Sequence, residues 1–82
     1  MNTLIQTKIG RIFKQHFLIP RNQVRAGKKL KDLGLNTMEQ MEVMLYLESE
    51  FRIDLDDRDV QQIQTVGDAI ACVERYTTAR RA

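Results

Sequence analysis

The sequence predicts an all-α domain of four helices, with a long loop after the first helix and a short third helix. Apolar residues recur at helical spacing in four segments, capping residues precede the longer helices, and no segment of strand length alternates apolar and polar residues. Eighty-two residues allow one domain, close to the smallest size at which an apolar core holds a fold without metals or disulfides.

The first helix is predicted from an apolar stripe and from the proline that follows it. Asn2 or Thr3 can cap its N-terminus. Because Pro20 lacks an N–H donor and disfavours helical dihedrals in the residue before it, we expect the helix to end near residues 16–18. The stripe consists of Ile5, Ile9, Ile12 and Phe13.

The loop that follows, residues 20–36, is long for so small a domain, and loops of this length usually have a function. Scattered apolar residues are expected to hold it against the core. They are Val24, Leu30, Leu33 and Leu35.

The second helix has the clearest start signal in the chain. A capping box can form between Asn36 and Glu39 or, one residue later, between Thr37 and Gln40. In both cases Thr37 lies at the helix N-terminus, and the helix is expected to run over residues 37–51. Its broad apolar face consists of Met38, Met41, Met44, Leu45, Leu47 and Phe51.

Two helices are predicted after residue 51. An acidic break is followed by residues 57–62, which are sufficient for a short third helix. Thr65 and Asp68 form a further capping box at the start of the last helix. The stripe of that helix consists of Val66, Ile70, Val73 and Tyr76.

Charge is unevenly distributed along the single domain predicted over residues 1–82. A basic first helix and loop (1–36) precede acidic helices (37–76) and a basic tail (77–82). The basic third could bind nucleic acid, but its aromatic residues Phe13 and Phe17 are expected to be buried, so we expect no nucleic-acid partner. A simpler alternative pairs these bases with the chain's own acids or with a second copy.

Several classes of function are excluded by composition. With Cys72 as the one cysteine and His16 as the one histidine, an internal disulfide or a structural zinc site cannot form. No nucleophile motif, Gly-rich phosphate loop or apolar run of membrane-spanning length is present. We therefore expect a cytoplasmic, monomeric protein that is not an enzyme and has no metal.

The segment from residue 32 to residue 38 reads DLGLNTM, and it is followed by an acidic, apolar helix and later by the pair Thr65 and Val66. This resembles the acyl carrier protein pattern Asp-Leu-Gly-x-Asp-Ser-Leu, and the match runs ungapped from about residue 30 to residue 73. The resemblance implies a four-helix bundle of the acyl carrier type. It also implies a 4′-phosphopantetheine group that carries acyl groups as thioesters in fatty-acid, polyketide or related biosynthesis.

Thr37 stands where the family carries its phosphopantetheine serine, and the resemblance places Asn36 and Met38 beside the prosthetic group. Thr37 keeps a hydroxyl but adds a methyl that crowds attack on phosphorus, and Asn36 replaces a charged aspartate. Three interpretations remain open: attachment of phosphopantetheine, capping of the helix alone, or a threonine introduced at a serine position to weaken modification.

The resemblance also implies partners. A phosphopantetheinyl transferase and acyl-transferring or condensing enzymes would meet an acidic surface made of Glu39, Glu42, Glu48 and Glu50. The interior that the family opens to an acyl chain, or else an ordinary core, would be lined by Met41, Met44, Leu47, Ile53, Ile63, Ala69 and Ile70. An alternative function is a carrier-like adaptor without a prosthetic group, which binds a protein partner through the acidic second helix.

Overall fold

The computed structural model describes residues 3–80, without the side chains of residues 79 and 80. Within this range the chain forms α1 (Thr3–Phe17), α2 (Thr37–Phe51), α3 (Asp57–Gln62) and α4 (Val66–Arg80). Two 3₁₀ helices, Arg21–Gln23 and Leu30–Leu33, lie in the loop between α1 and α2 and were not predicted. The described chain contains no strand beyond one isolated bridge, Lys29 to Thr65, so the all-α prediction is confirmed.

The helix bounds agree with the predicted ones, and α1 ends for a reason that the sequence did not reveal. Leu18 adopts left-handed backbone dihedrals (φ 58°), and the N–H of Ile19 donates to the carbonyl of Phe13 at 3.1 Å. A residue in the left-handed region commonly ends a helix, so α1 already ends before Pro20 acts. The predicted cap at Asn2 lies outside the described residues.

The core lies between α1, α2 and α4, and the long loop contributes to it. All four loop residues expected to anchor it are buried, as are the stripe residues of α1. Tyr76, assigned to the stripe of α4, is only partly buried at the edge of the core. The buried side chains of α2 and α4 are Val43, Met44, Leu47, Phe51, Val66, Ala69, Ile70, Cys72 and Val73.

Backbone hydrogen bonds hold the long loop against the start of α4. The N–H of Gly67 donates to the carbonyl of Ala26 at 2.8 Å, and the N–H of Val66 donates to the carbonyl of Lys28 at 3.0 Å. The N–H of Leu30 donates to the carbonyl of Gln64 at 2.9 Å. The loop therefore has a defined path past the connection between α3 and α4.

Side chains of α3 and α4 are joined at Asp59. Its carboxylate accepts a hydrogen bond from the Tyr76 hydroxyl and lies 3.6 Å from the Arg75 guanidinium. The Tyr76 hydrogen bond is the main cause of a lowered pKa at Asp59, and the same bond raises the pKa of Tyr76 to about 12. This contact links the short α3 to α4.

The Asp59–Tyr76 contact predicts a pH-dependent contribution to stability. Since folding lowers the pKa of Asp59, its contribution is present above the ordinary carboxyl value of 3.8 and is lost as the pH falls through the folded pKa. Since folding raises the pKa of Tyr76, its contribution is complete below the ordinary value of 10 and is lost as the pH rises through about 12.

We therefore expect Tyr76→Phe to lower the free energy of unfolding more at pH 7 than at pH 2.5, measured by urea denaturation. Tyr46→Phe is the control, because the Tyr46 hydroxyl forms no hydrogen bond with the described residues. An equal loss for Tyr76→Phe at both pH values would contradict the role of the ionised Asp59.

Candidate functional site

The N-terminus of α2 is capped by Asn36. Its side-chain oxygen accepts from the N–H of Glu39 at 2.7 Å, and the Glu39 carboxylate accepts from the N–H of Asn36 at 3.0 Å. The alternative capping box between Thr37 and Gln40 is wrong, since the Gln40 side chain instead donates to the carbonyl of Leu35 at 3.0 Å. The interpretation of Thr37 as the helix cap is therefore also wrong.

Thr37 is the first residue of α2, and its side chain is exposed. Because Asn36 does the capping, the Thr37 hydroxyl forms no hydrogen bond with any described residue. The N–H groups of Thr37 and Met38 lie in the first turn, where a helix offers no acceptor. These two donors and the positive end of the helix dipole suit a phosphodiester at Thr37, so the residues present fit phosphopantetheine.

The capping assignment predicts different costs for two neighbouring substitutions. We expect Asn36→Ala to lower the free energy of unfolding by about 1 kcal/mol, because it leaves the N–H of Glu39 without its acceptor. We expect Thr37→Ala to change it by less than about 0.5 kcal/mol. Urea denaturation of both variants measures the difference, and a larger loss for Thr37→Ala would reverse the assignment.

Apolar side chains of α2 divide between the core and the solvent. Met38, Met41 and Leu45 are 74%, 50% and 64% exposed and follow one another at spacings of three and four residues, so they form one stripe on the outer face. The predictions that Met41 lines the interior and that these residues share one face with Met44 are wrong. A helix buries one stripe, and here that stripe is centred on Val43, Met44, Leu47 and Phe51.

The remaining residues predicted for the interior are buried. Each of them belongs to the core cluster, and Leu47, Ala69 and Ile70 are fully inaccessible. The others are Met44, Ile53 and Ile63.

Four glutamates of α2 were predicted to form an acidic surface, and the structure distinguishes two pairs among them. Glu39 belongs to the capping box, and the Glu48 carboxylate accepts from the N–H of Leu55 at 2.9 Å, so both also stabilise the fold. Glu42 is half-buried and Glu50 is exposed, and neither forms a hydrogen bond or ion pair with the described residues. Their charges are available to a partner.

The basic N-terminal third does not neutralise these acids. Among side chains of residues 3–78 the structure holds one ion pair, between Arg75 and Asp59. The alternative in which the basic third pairs with the chain's own acids is therefore wrong. In that third, the Lys8 ammonium lies 5.9 Å from the centre of the Phe51 ring.

His16 and Cys72 occupy structural positions. The His16 ring stacks on Tyr46 with 3.9 Å between ring centres, and burial raises the pKa of the Cys72 thiol. The described part of the chain contains no group of three or more side chains suited to hold a metal. In the same part, every helix is too short or too polar to cross a membrane.

A cavity of about 320 Å³ opens between the long loop, α2 and the segment around α3. Gln40 lies on its wall, one helical turn after Thr37 on the same face of α2. Sequence analysis missed this cavity, because its residues come from distant segments and share no periodic signal. It is lined by Lys29, Lys31, Gln40, Val60, Gln61, Ile63 and Gln64.

A family model described as "Phosphopantetheine attachment site" matches residues 7–73, most of this chain. The chain belongs to this family. The site built around Thr37 is thus part of a phosphopantetheine carrier domain, and the prediction of 4′-phosphopantetheine as the prosthetic group is confirmed. The adaptor without a prosthetic group is not favoured.

Individual relatives agree with this membership. An acyl carrier protein of Thermotoga maritima is 32% identical over 72 residues, which are 87% of this chain and 89% of the relative. Acyl carrier protein 1, chloroplastic, of Hordeum vulgare is 33% identical over 76 residues, 92% of this chain and 51% of the relative. The chain thus spans about half the length of the Hordeum vulgare relative.

The fold agrees as well. The crystal structure of an acyl carrier protein from Thermotoga maritima superposes with a TM-score of 0.76 at 19% identity, covering 92% of this chain and 93% of that one. The prediction of a helical bundle of the acyl carrier type is confirmed.

Proposed function

We propose that this chain is an acyl carrier protein that holds acyl groups as thioesters on 4′-phosphopantetheine attached through the hydroxyl of Thr37. The free Thr37 hydroxyl at the first residue of α2 is the observation that carries the assignment of the attachment residue. It is exposed, it has no hydrogen bond to lose, and it follows a residue that already satisfies the helix cap.

Attachment at Thr37 is a substitution at phosphorus. The side-chain oxygen forms a new bond to the phosphorus that bears the pantetheine of coenzyme A, the pyrophosphate P–O bond breaks, and adenosine 3′,5′-bisphosphate leaves. The hydroxyl proton passes to a base of the transferase. The methyl of a β-branched threonine restricts rotation and crowds the approach, so we expect slower loading than for serine.

The bound group supplies a thiol on a flexible arm, and the chain itself performs no catalysis. Met38 and Asn36 flank the attachment point, and Asn36 holds the backbone there through its capping box. The outer stripe of Met38, Met41 and Leu45 offers apolar anchors. Glu42 lies beside this stripe, and Glu50 is a further unpaired charge on α2. Such a face suits enzymes that present an apolar groove with a basic rim, including the transferase and acyl-transferring or condensing enzymes.

Intact mass after incubation with coenzyme A, magnesium and a broad-specificity phosphopantetheinyl transferase tests the attachment. We expect the native chain to gain one phosphopantetheine, Thr37→Ser to gain it faster, and Thr37→Ala to gain none. Thr37→Ala is a suitable control because the hydroxyl has no role in capping. Loading of the alanine variant would place the group elsewhere, and loading of the serine variant alone would show that Thr37 is not a working attachment residue.

A further inference from the structure

We propose that the cavity beside Thr37 selects short acyl groups that end in a carboxylate, and that Lys29 and Lys31 determine this specificity. The inference rests on the proposed function, because the acyl group reaches the cavity on an arm attached at residue 37. It deepens that function by naming a class of cargo.

The lining of the cavity is predominantly polar. Val60 and Ile63 supply the apolar contribution, while three glutamines and two lysines supply the rest. Sites for apolar ligands are lined mainly by apolar and aromatic side chains. An alkyl chain in the cavity of about 320 Å³ would therefore lie against ammonium and amide groups.

Both lysines lie on backbone that the fold holds in place. Lys29 pairs with Thr65 in the isolated bridge. On either side of it, the carbonyl of Lys28 accepts from the N–H of Val66 and the N–H of Leu30 donates to the carbonyl of Gln64, which holds the segment against the start of α4. Lys31 belongs to the 3₁₀ helix Leu30–Leu33, whose two leucines are buried. The two side chains thus start from fixed backbone positions at the rim of the cavity, and both are exposed.

Neither ammonium has a partner of opposite charge among the described side chains, since the ion pair found there joins Arg75 and Asp59. An alkyl chain in this cavity would take water from the lysines and amides without replacing its hydrogen bonds, which costs free energy. A carboxylate would accept charge-assisted hydrogen bonds from the same groups. Gln61 and Gln64 also line the cavity and add amide donors.

The experiment compares two acyl groups of equal carbon number on the same carrier. The Thr37→Ser variant is loaded from glutaryl-, pentanoyl- or unacylated coenzyme A, and intact mass confirms each product before thermal unfolding is measured. The serine variant lets the cavity be tested independently of attachment at Thr37. If native Thr37 accepts no phosphopantetheine, the two acyl groups can still be compared on the serine variant.

We expect the glutaryl form to unfold about 3 °C or more above the pentanoyl form, as one or two partly exposed charge contacts should produce in a domain of this size. The Lys29→Gln/Lys31→Gln double variant should lose the difference. Lys28→Gln should retain it, since Lys28 is a neighbouring exposed lysine that does not line the cavity. In NMR spectra, the side-chain amide signals of Gln61 and Gln64 should shift in the glutaryl form relative to the pentanoyl form.

Three results would overturn the proposal. Equal or greater stabilisation by the pentanoyl group would show an alkyl cavity. An unfolding temperature for the unacylated form as high as that of the glutaryl form would show that the lysines bind the phosphate of the arm. A difference that survives the double variant would place the carboxylate elsewhere.

Discussion

Replacing Met44 by alanine is expected to lower the free energy of unfolding by about 2–5 kcal/mol. Met44 is 4% exposed and belongs to the core cluster on the inner face of α2, so truncation removes buried apolar contacts and leaves a cavity. Because small domains are stable by only about 5–15 kcal/mol, the variant should unfold at a much lower urea concentration. Urea denaturation followed by circular dichroism measures the effect.

Met41 is the matched control three residues earlier on the same helix. It is 50% exposed, and we expect Met41→Ala to change the free energy of unfolding by less than about 0.5 kcal/mol. Met41→Ala should instead weaken partner binding, because Met41 belongs to the outer stripe of α2. We expect the KM of the transferase for the carrier to rise severalfold. Equal losses of stability for the two methionines would contradict the observed register of α2.

Replacing Gly67 by alanine is expected to destabilise the fold, although alanine is the better helix former by about 1 kcal/mol. A Cβ at residue 67 would lie 2.9 Å from the carbonyl oxygen of Ala26, the same oxygen that accepts from the N–H of Gly67. The Ala26 carbonyl is backbone and cannot move aside as the end of a flexible side chain can. The overpacking cost of about 1–3 kcal/mol should therefore outweigh the gain in helix propensity. We expect a net loss of about 1–2 kcal/mol in urea denaturation.

Gly27→Ala is the control for this prediction. A Cβ at residue 27 would have no atom within 4 Å, so we expect little change in stability. An unchanged or higher stability for Gly67→Ala would mean that the loop can move away from α4. The same loop carries Lys29 and Lys31, so Gly67→Ala should also weaken any preference of the cavity for a carboxylate.

The candidate site could be predicted in part. Thr37 follows from a local motif, and its position at a helix N-terminus needs only the capping signals around residue 36. Two overlapping capping boxes were compatible with the same residues, and only the hydrogen bonds of Asn36, Glu39 and Gln40 distinguish them. That choice matters for chemistry, because it leaves the Thr37 hydroxyl free.

The four helices were determined locally by the sequence, since their caps, breaks and apolar repeats all lie within one segment each. Which apolar residues are buried was decided by tertiary structure. α2 carries more apolar residues than one buried stripe can accommodate, and packing against the other helices selects Met44 and leaves Met38, Met41 and Leu45 outside. The cavity beside Thr37 arises in the same way, because its lysines, glutamines and apolar side chains meet only when the loop is held along α4.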